Sequence, residues 1–154
     1  MSTKSELIDR LRAELRARLE RLSQAAREAH AAATDAGSKA ESKYDTRSLE
    51  ESYLAKGQAK NVEETADQLR IFESWAPPEF EITAPIDAGA LVEVDLNGET
   101  GFYLLAPTAG GMTAEHLGCE LTVLTPESPL YRKLRGLSTG DTLESPALMV
   151  TEVS

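Results

Sequence analysis

The chain has 154 residues, enough for one domain or two small ones at roughly 100–200 residues per domain. Hydrophobic residues make up 41% and charged residues 27%, which excludes a collagen-like or wholly disordered chain. The net charge of −10 is uneven: residues 1–76 hold 13 Lys+Arg against 14 Asp+Glu, and residues 77–154 hold 3 against 12.

No apolar run approaches the ~20 residues that cross a bilayer, and residues 1–25 alternate charge with leucine, unlike a signal peptide. A lone cysteine, Cys119, forms no internal disulfide and points to a reducing cytoplasm. Two histidines, His30 and His116, exclude a multi-histidine metal site. The second half lacks the basic stripe that independent nucleic-acid binding needs. The arginines of the first half (Arg10, Arg12, Arg16, Arg18, Arg21 and Arg27) read as partners of Glu14, Glu20 and Glu28 on a solvated helix.

Residues 3–33 contain no proline or glycine and are rich in Ala, Leu, Arg and Glu, strong helix formers. Ser2 or Thr3 is the expected cap, with Glu6 three residues beyond Thr3 as a capping box. Ile8, Leu11, Leu15, Leu22, Ala25, Ala29 and Ala32 follow heptad spacing, and the change from leucine to alanine predicts a seam that thins toward residue 33. Residues 34–42 (TDAGSKAES) read as a turn. A second helix is predicted over 43–75, with Ala55, Gln58, Val62, Thr65, Leu69 and Phe72 at heptad spacing and Gly57 weakening its middle. The two make an antiparallel helical hairpin, suited to a probe, a lever or a dimerisation arm. Trp75-Ala76-Pro77-Pro78 ends it.

From there the pattern changes to strands, predicted over 80–83, 90–96, 100–106, 119–124 and 147–153. Asn97-Gly98 reads as a hairpin turn. A short helix fits Ser128 to Leu137, with Ser128 as N-cap, Pro129 first and Gly136 past the end. The fold class is therefore α+β: a helical coiled-coil hairpin over 1–76, then a small β-sheet domain with one short helix over 77–154.

Chemistry is sparse. The glycines of Pro107–Met112 lack the lysine and helix start of a phosphate cradle, so this loop reads as a turn. His116 and Cys119 read as an exposed histidine beside a buried thiol rather than a catalytic pair. Asp35, Glu41 and Asp45, with Lys39 and Lys43 between them, make an acidic turn that is no closed metal site by itself.

Two stretches carry a resemblance. Residues 128–144 (SPLYRKLRGLSTGDTLE) resemble the carboxyl-terminal motif of the bacterial Gre transcript cleavage factors, where a Ser-Pro-Leu helix start leads to a Gly-Asp turn and a strand. Residues 38–59 (SKAESKYDTRSLEESYLAKGQA) resemble that family's distal hairpin, in which an acidic tip precedes a tyrosine-bearing helix. The resemblance implies an FKBP-like carboxyl-terminal domain that docks on bacterial RNA polymerase at its secondary channel. The hairpin tip enters the channel, and a tip Asp and Glu three residues apart help hold a second Mg²⁺ and position the water that attacks backtracked RNA. Aligned on Tyr44, this chain has Gly37 and Ala40 at those two positions, and the nearest carboxylates, Asp35 and Glu41, lie six apart.

The resemblance implies a cytoplasmic transcription elongation factor, a monomer with no enzyme activity alone. It meets RNA and DNA only through the polymerase, has no membrane association and uses no cofactor beyond Mg²⁺ shared with the polymerase. The implied site residues are Asp35, Glu41 and Asp45 at the tip, with Lys39, Tyr44, Leu130, Tyr131 and Arg132 as partner contacts. Of the short helix, Leu130 and Leu134 are expected against the sheet, and Tyr131 and Arg132 outside. Two alternatives stand beside this: a secondary-channel regulator that does not promote cleavage, and a scaffold that dimerises through its hairpin, with Leu15 and Leu22 in the contact. A stand-alone prolyl isomerase is disfavoured, because Phe80, Phe102, Tyr103 and Tyr131 are the whole aromatic supply of residues 77–154.

Overall fold

A computed structural model describes residues 3–34 and 46–154, with side chains for 3–32 and 56–154. The expected tip residues Asp35, Lys39, Glu41, Tyr44 and Asp45 lie outside the described residues. The chain forms two compact units, Met1–Asp9 with Ser74–Ser154, and Arg10–Glu73.

Helix α1 runs Thr3–Thr34 and α2 runs Thr46–Ser74. At 1.5 Å per residue they are roughly 48 and 44 Å long. Along α1, Leu7, Ile8, Leu11 and Leu15 are buried, Leu22, Ala25 and Ala29 are half-buried, and Ala32 is exposed. Burial falls as side chains shrink, because alanine cannot span the distance that leucine fills. Leu7, absent from the expected seam, is fully buried one turn before Leu11. On α2, Thr65 and Phe72 are buried, and Gln58, Val62 and Leu69 half-buried.

Within the helical unit, Arg12 Nε donates to the Phe72 carbonyl at 2.8 Å, and Arg16 pairs with Glu73 at 3.2 Å. The start of α1 therefore lies beside the end of α2. Farther along α1, Arg21 pairs with Glu14 at 3.2 Å and Arg27 with Glu20 at 3.5 Å, both solvated. Such exposed pairs contribute about 0–1 kcal/mol each, so the helix rests on propensity and its seam.

The sheet has six strands in the order β3-β4-β2-β1-β6-β5. They are β1 Leu91–Leu96, β2 Glu99–Leu105, β3 Thr113–His116, β4 Cys119–Leu124, β5 Thr142–Glu144 and β6 Ala147–Val153. All neighbours are antiparallel except β2 and β4, which pair in parallel from Phe102↔Leu121 to Leu105↔Leu124. The β1–β2 turn is Asn97-Gly98, both at positive φ (54° and 91°), the mirror-image turn that suits strand twist. One sheet face carries Val92, Val94, Leu105, Leu124 and Val150, packed with Tyr131 and Leu134 of helix α3, Pro129–Leu134.

Three features depart from expectation. Residues 80–83 form no strand: Ala84 N–H donates to the Glu81 carbonyl at 2.9 Å, closing a turn, and Ile82 is 55% exposed. Pro77 and Pro78 before the segment and Pro85 after it withhold ladder donors, although Phe80 still packs partly on the core. Strands β3 and β5 were not expected. At four and three residues they carry little alternation of their own and exist because β4 and β6 supply partners.

Candidate functional site

The segment 128–144 takes its shape from its turns. Ser128 is extended (φ −74°, ψ 130°) and Pro129 starts α3, as expected, but the Ser128 side chain makes no capping bond. Gly136, at φ 92°, donates to the Ile86 carbonyl at 2.7 Å while Ile86 donates to Leu137 at 2.7 Å, which stitches the helix end to the loop before β1. The Asp141 carboxylate accepts the Ser138 N–H at 2.8 Å, and Gly140, at φ 95°, donates to the Val150 carbonyl. The Gly-Asp turn is thereby anchored on β6 and leads into β5.

On α3 the expected exposure divides. Arg132 is exposed and Leu130 half-buried, but Tyr131 is only 6% exposed and packs in the core with Leu134. Expecting Tyr131 outside was wrong. Tyr131 and Leu134 are three apart and share the face turned to the sheet, while Arg132 lies on the next face. Burial pushes the Tyr131 phenol pKa up. Lys133 Nζ donates to the Ser145 carbonyl at 2.7 Å and Arg135 pairs with Asp87 at 3.0 Å. The Asp87 carboxyl is held below its ordinary pKa, first by the Ala88 N–H and then by Arg135. The three cations of residues 77–154, Arg132, Lys133 and Arg135, thus sit within four positions of an otherwise acidic half.

A second cluster was not foreseen. Lys4 is 3% exposed; its Nζ donates to the carbonyls of Pro78 (2.6 Å) and Ser154 (2.9 Å) and lies 5.0 Å from the Phe80 ring centre. Burial lowers its pKa to about 8, against the opposing pull of Glu79. It lines a cleft of about 260 Å³ with Glu79, Glu93, His116, Leu117 and Glu152. The signal was present in the sequence: Lys4 continues the seam one turn before Ile8, where a heptad reader looks for leucine.

His116 and Cys119 invert their expected places. The histidine is 2% exposed, its ring edge-on to Phe102 at 4.8 Å and 85°, and Cys119, its ladder partner across the β3–β4 turn, is half-buried. Aromatic packing holds the imidazole inside, and the thiol stands at the strand start where cover is thinner.

A second cavity, about 540 Å³, opens on the core-side face of the sheet, lined by Leu96, Glu99, Gly101, Tyr103, Glu120 and Thr122 among others. Tyr103 is half-buried, and burial with the nearby Glu120 charge raises its pKa. Among the described residues no three His, Cys, Asp or Glu side chains group to hold a metal ion, and no helix is long and apolar enough to cross a membrane.

Neither a protein-family description nor any curated protein matches the chain. Among solved structures, GreA factor homolog 1 (Gfh1) of Thermus thermophilus is similar at 22% identity, covering 93% of this chain and 94% of that one with a TM-score of 0.37. Gfh1 of Thermus aquaticus is similar at 16% identity, covering 92% of each chain with a TM-score of 0.36.

Proposed function

We propose that this chain is a transcription factor that binds bacterial RNA polymerase. Its sheet unit docks on the polymerase surface, and the segment joining α1 to α2 enters the secondary channel. The observation that carries this reading is the segment 128–144, whose likeness to the Gre motif is matched by an extended Ser128, a proline-started helix, a Gly-Asp turn and a strand in that order. Arg132, exposed and in an otherwise acidic half, is the docking contact, with half-buried Leu130 at its edge. Tyr131 acts by holding the helix on the sheet rather than by touching the partner.

In this reading the chemistry belongs to the polymerase. Asp35, Glu41 and Asp45 help position Mg²⁺ shared with the polymerase active centre, Lys39 and Tyr44 line the channel contact, and the protein works as a cytoplasmic monomer. A second reading, channel occupancy without cleavage, is favoured by one feature: Gly37 and Ala40 stand where the resemblance places the paired carboxylates.

The test is gel filtration with core RNA polymerase alongside transcript cleavage on backtracked complexes. A one-to-one complex that Arg132→Ala weakens about tenfold, roughly 1.4 kcal/mol, supports docking through α3. Cleavage lost in Asp35→Ala or Glu41→Ala with binding intact assigns the tip carboxylates. Binding without cleavage in the unaltered protein selects the occupancy reading. A concentration-dependent dimer that ignores the polymerase replaces both with the scaffold.

A further inference from the structure

The core-side face of the sheet is only part covered. Helix α3 lies over the half formed by Val92, Val94, Leu105 and Leu124, and the other half stays open as the 540 Å³ groove. Tyr103 stands at the boundary, packed against the core on one side and lining the groove on the other. Two residues before it on the same face is Gly101, and the Leu96 side chain lies over it, 3.1 Å from where a Cβ would stand, so the floor there is leucine laid on backbone. Glu99 lies two residues further along that face, and Glu120 lines the groove from β4.

The charges are arranged at a cost. Glu120 stands directly opposite Glu115 in the β3–β4 ladder, a like-charge register that destabilises a sheet. No lysine or arginine lines the groove, whereas the 260 Å³ cleft around Lys4 already holds a cation of its own. A groove of this size with an aromatic floor and carboxylates at its rim fits a flat cation. The guanidinium of arginine stacks on a tyrosine ring and donates in-plane hydrogen bonds to carboxylates at its edges.

We propose that this groove is a docking site for an arginine-bearing extended segment of a partner protein, with a guanidinium laid on Tyr103 beside Glu120. The charge of the groove selects this occupant, since Glu99 and Glu120 line it and no cation does. The site is separate from the Arg132 surface and stands or falls independently of the polymerase reading.

The experiment titrates the full-length ¹⁵N-labelled protein with a capped tetra-arginine peptide, and in parallel with tetra-lysine, following backbone amide shifts. Saturable shifts concentrated at residues 99–103 and 118–122, tighter for arginine than for lysine, are expected. Tyr103→Phe should keep the affinity, Tyr103→Leu should weaken it about fivefold, and Glu120→Gln about threefold, with thermal unfolding confirming that each variant is folded. Non-saturating shifts spread equally over Glu79, Glu93 and Glu152 would mean diffuse charge attraction and overturn the proposal. So would equal affinity for Tyr103→Leu, or a dimer of the protein itself that Glu120→Gln dissociates, since that would make the arginines of a second copy the occupant.

Discussion

Lys4 is a charged side chain in a position that the surrounding pattern reserves for leucine, and it is tolerated because two carbonyls, of Pro78 and Ser154, receive its protons. Its pKa, about 8 in the fold against 10.5 in a free lysine, has a measurable consequence. Between those values the unfolded chain holds a proton that the folded chain has released, so stability rises as pH rises through this window. Urea unfolding at pH 7.5, 8.5 and 9.5 should show a rising midpoint in the unaltered protein and a flatter course in Lys4→Met. Tyr103 and Tyr131, whose phenols are shifted up, act in the opposite sense above about pH 10, which sets the upper limit of the comparison. The same scale shows what a sequence withholds. Six residues of α3 make too short a helix for a periodic signal, so nothing in SPLYRKL says whether Tyr131 or Arg132 meets the sheet until the sheet is in place. His116 is similar: its burial comes from Phe102, a neighbour that only strand pairing brings near.

Two turns of the same kind show how an element tolerates local conflict. Asn97-Gly98 places at φ 54° a residue that accepts the left-handed region, and Gly98 N–H is received by the Asp95 carboxylate at 2.6 Å. Leu117-Gly118 places a leucine at φ 51°, 71% exposed, at the tip of the β3–β4 hairpin. Both the backbone and the exposed side chain are unfavourable there. Leu117→Asn should therefore stabilise the protein by about 0.5–1 kcal/mol, a gain of about 1–4 °C in Tm by calorimetry. The contrast also explains which elements could be read in advance. Strands β1, β2, β4 and β6 announce themselves within one or two residues through apolar runs and the Asn-Gly turn. Strand β3, with alanine as its one aliphatic residue and a leucine in its turn, offers neither signal. Phe80-Glu81-Ile82-Thr83 errs the other way: it alternates like a strand but is flanked by prolines and has no ladder to join. The parallel contact of β2 with β4 is likewise invisible in sequence, because it depends on β3 being laid outside β4 first.

At the scale of the whole molecule the two halves differ in charge and in construction, and the sheet unit is assembled from two separated pieces of chain. Met1–Asp9 belongs with Ser74–Ser154, and Arg10–Glu73 forms the other unit. The boundary falls inside α1, which runs unbroken from Thr3 to Thr34, so proline and glycine punctuation could not reveal it. Where the chain leaves and re-enters, Arg12 and Phe72 are joined by a 2.8 Å hydrogen bond, so both ends of the excursion are close together. A chain in which a short Gly-Ser linker replaces residues 13–71 should keep the β-sheet and the Lys4 bonds, seen as retained near-native sheet circular dichroism and a single cooperative melt. Loss of that melt would show that the sheet unit needs the helices to fold. In the order of the chain, the helical unit is an excursion between two pieces of the sheet unit. Its length can change by matched turns added to both helices without rewriting any residue of the sheet, so the two units are free to vary separately.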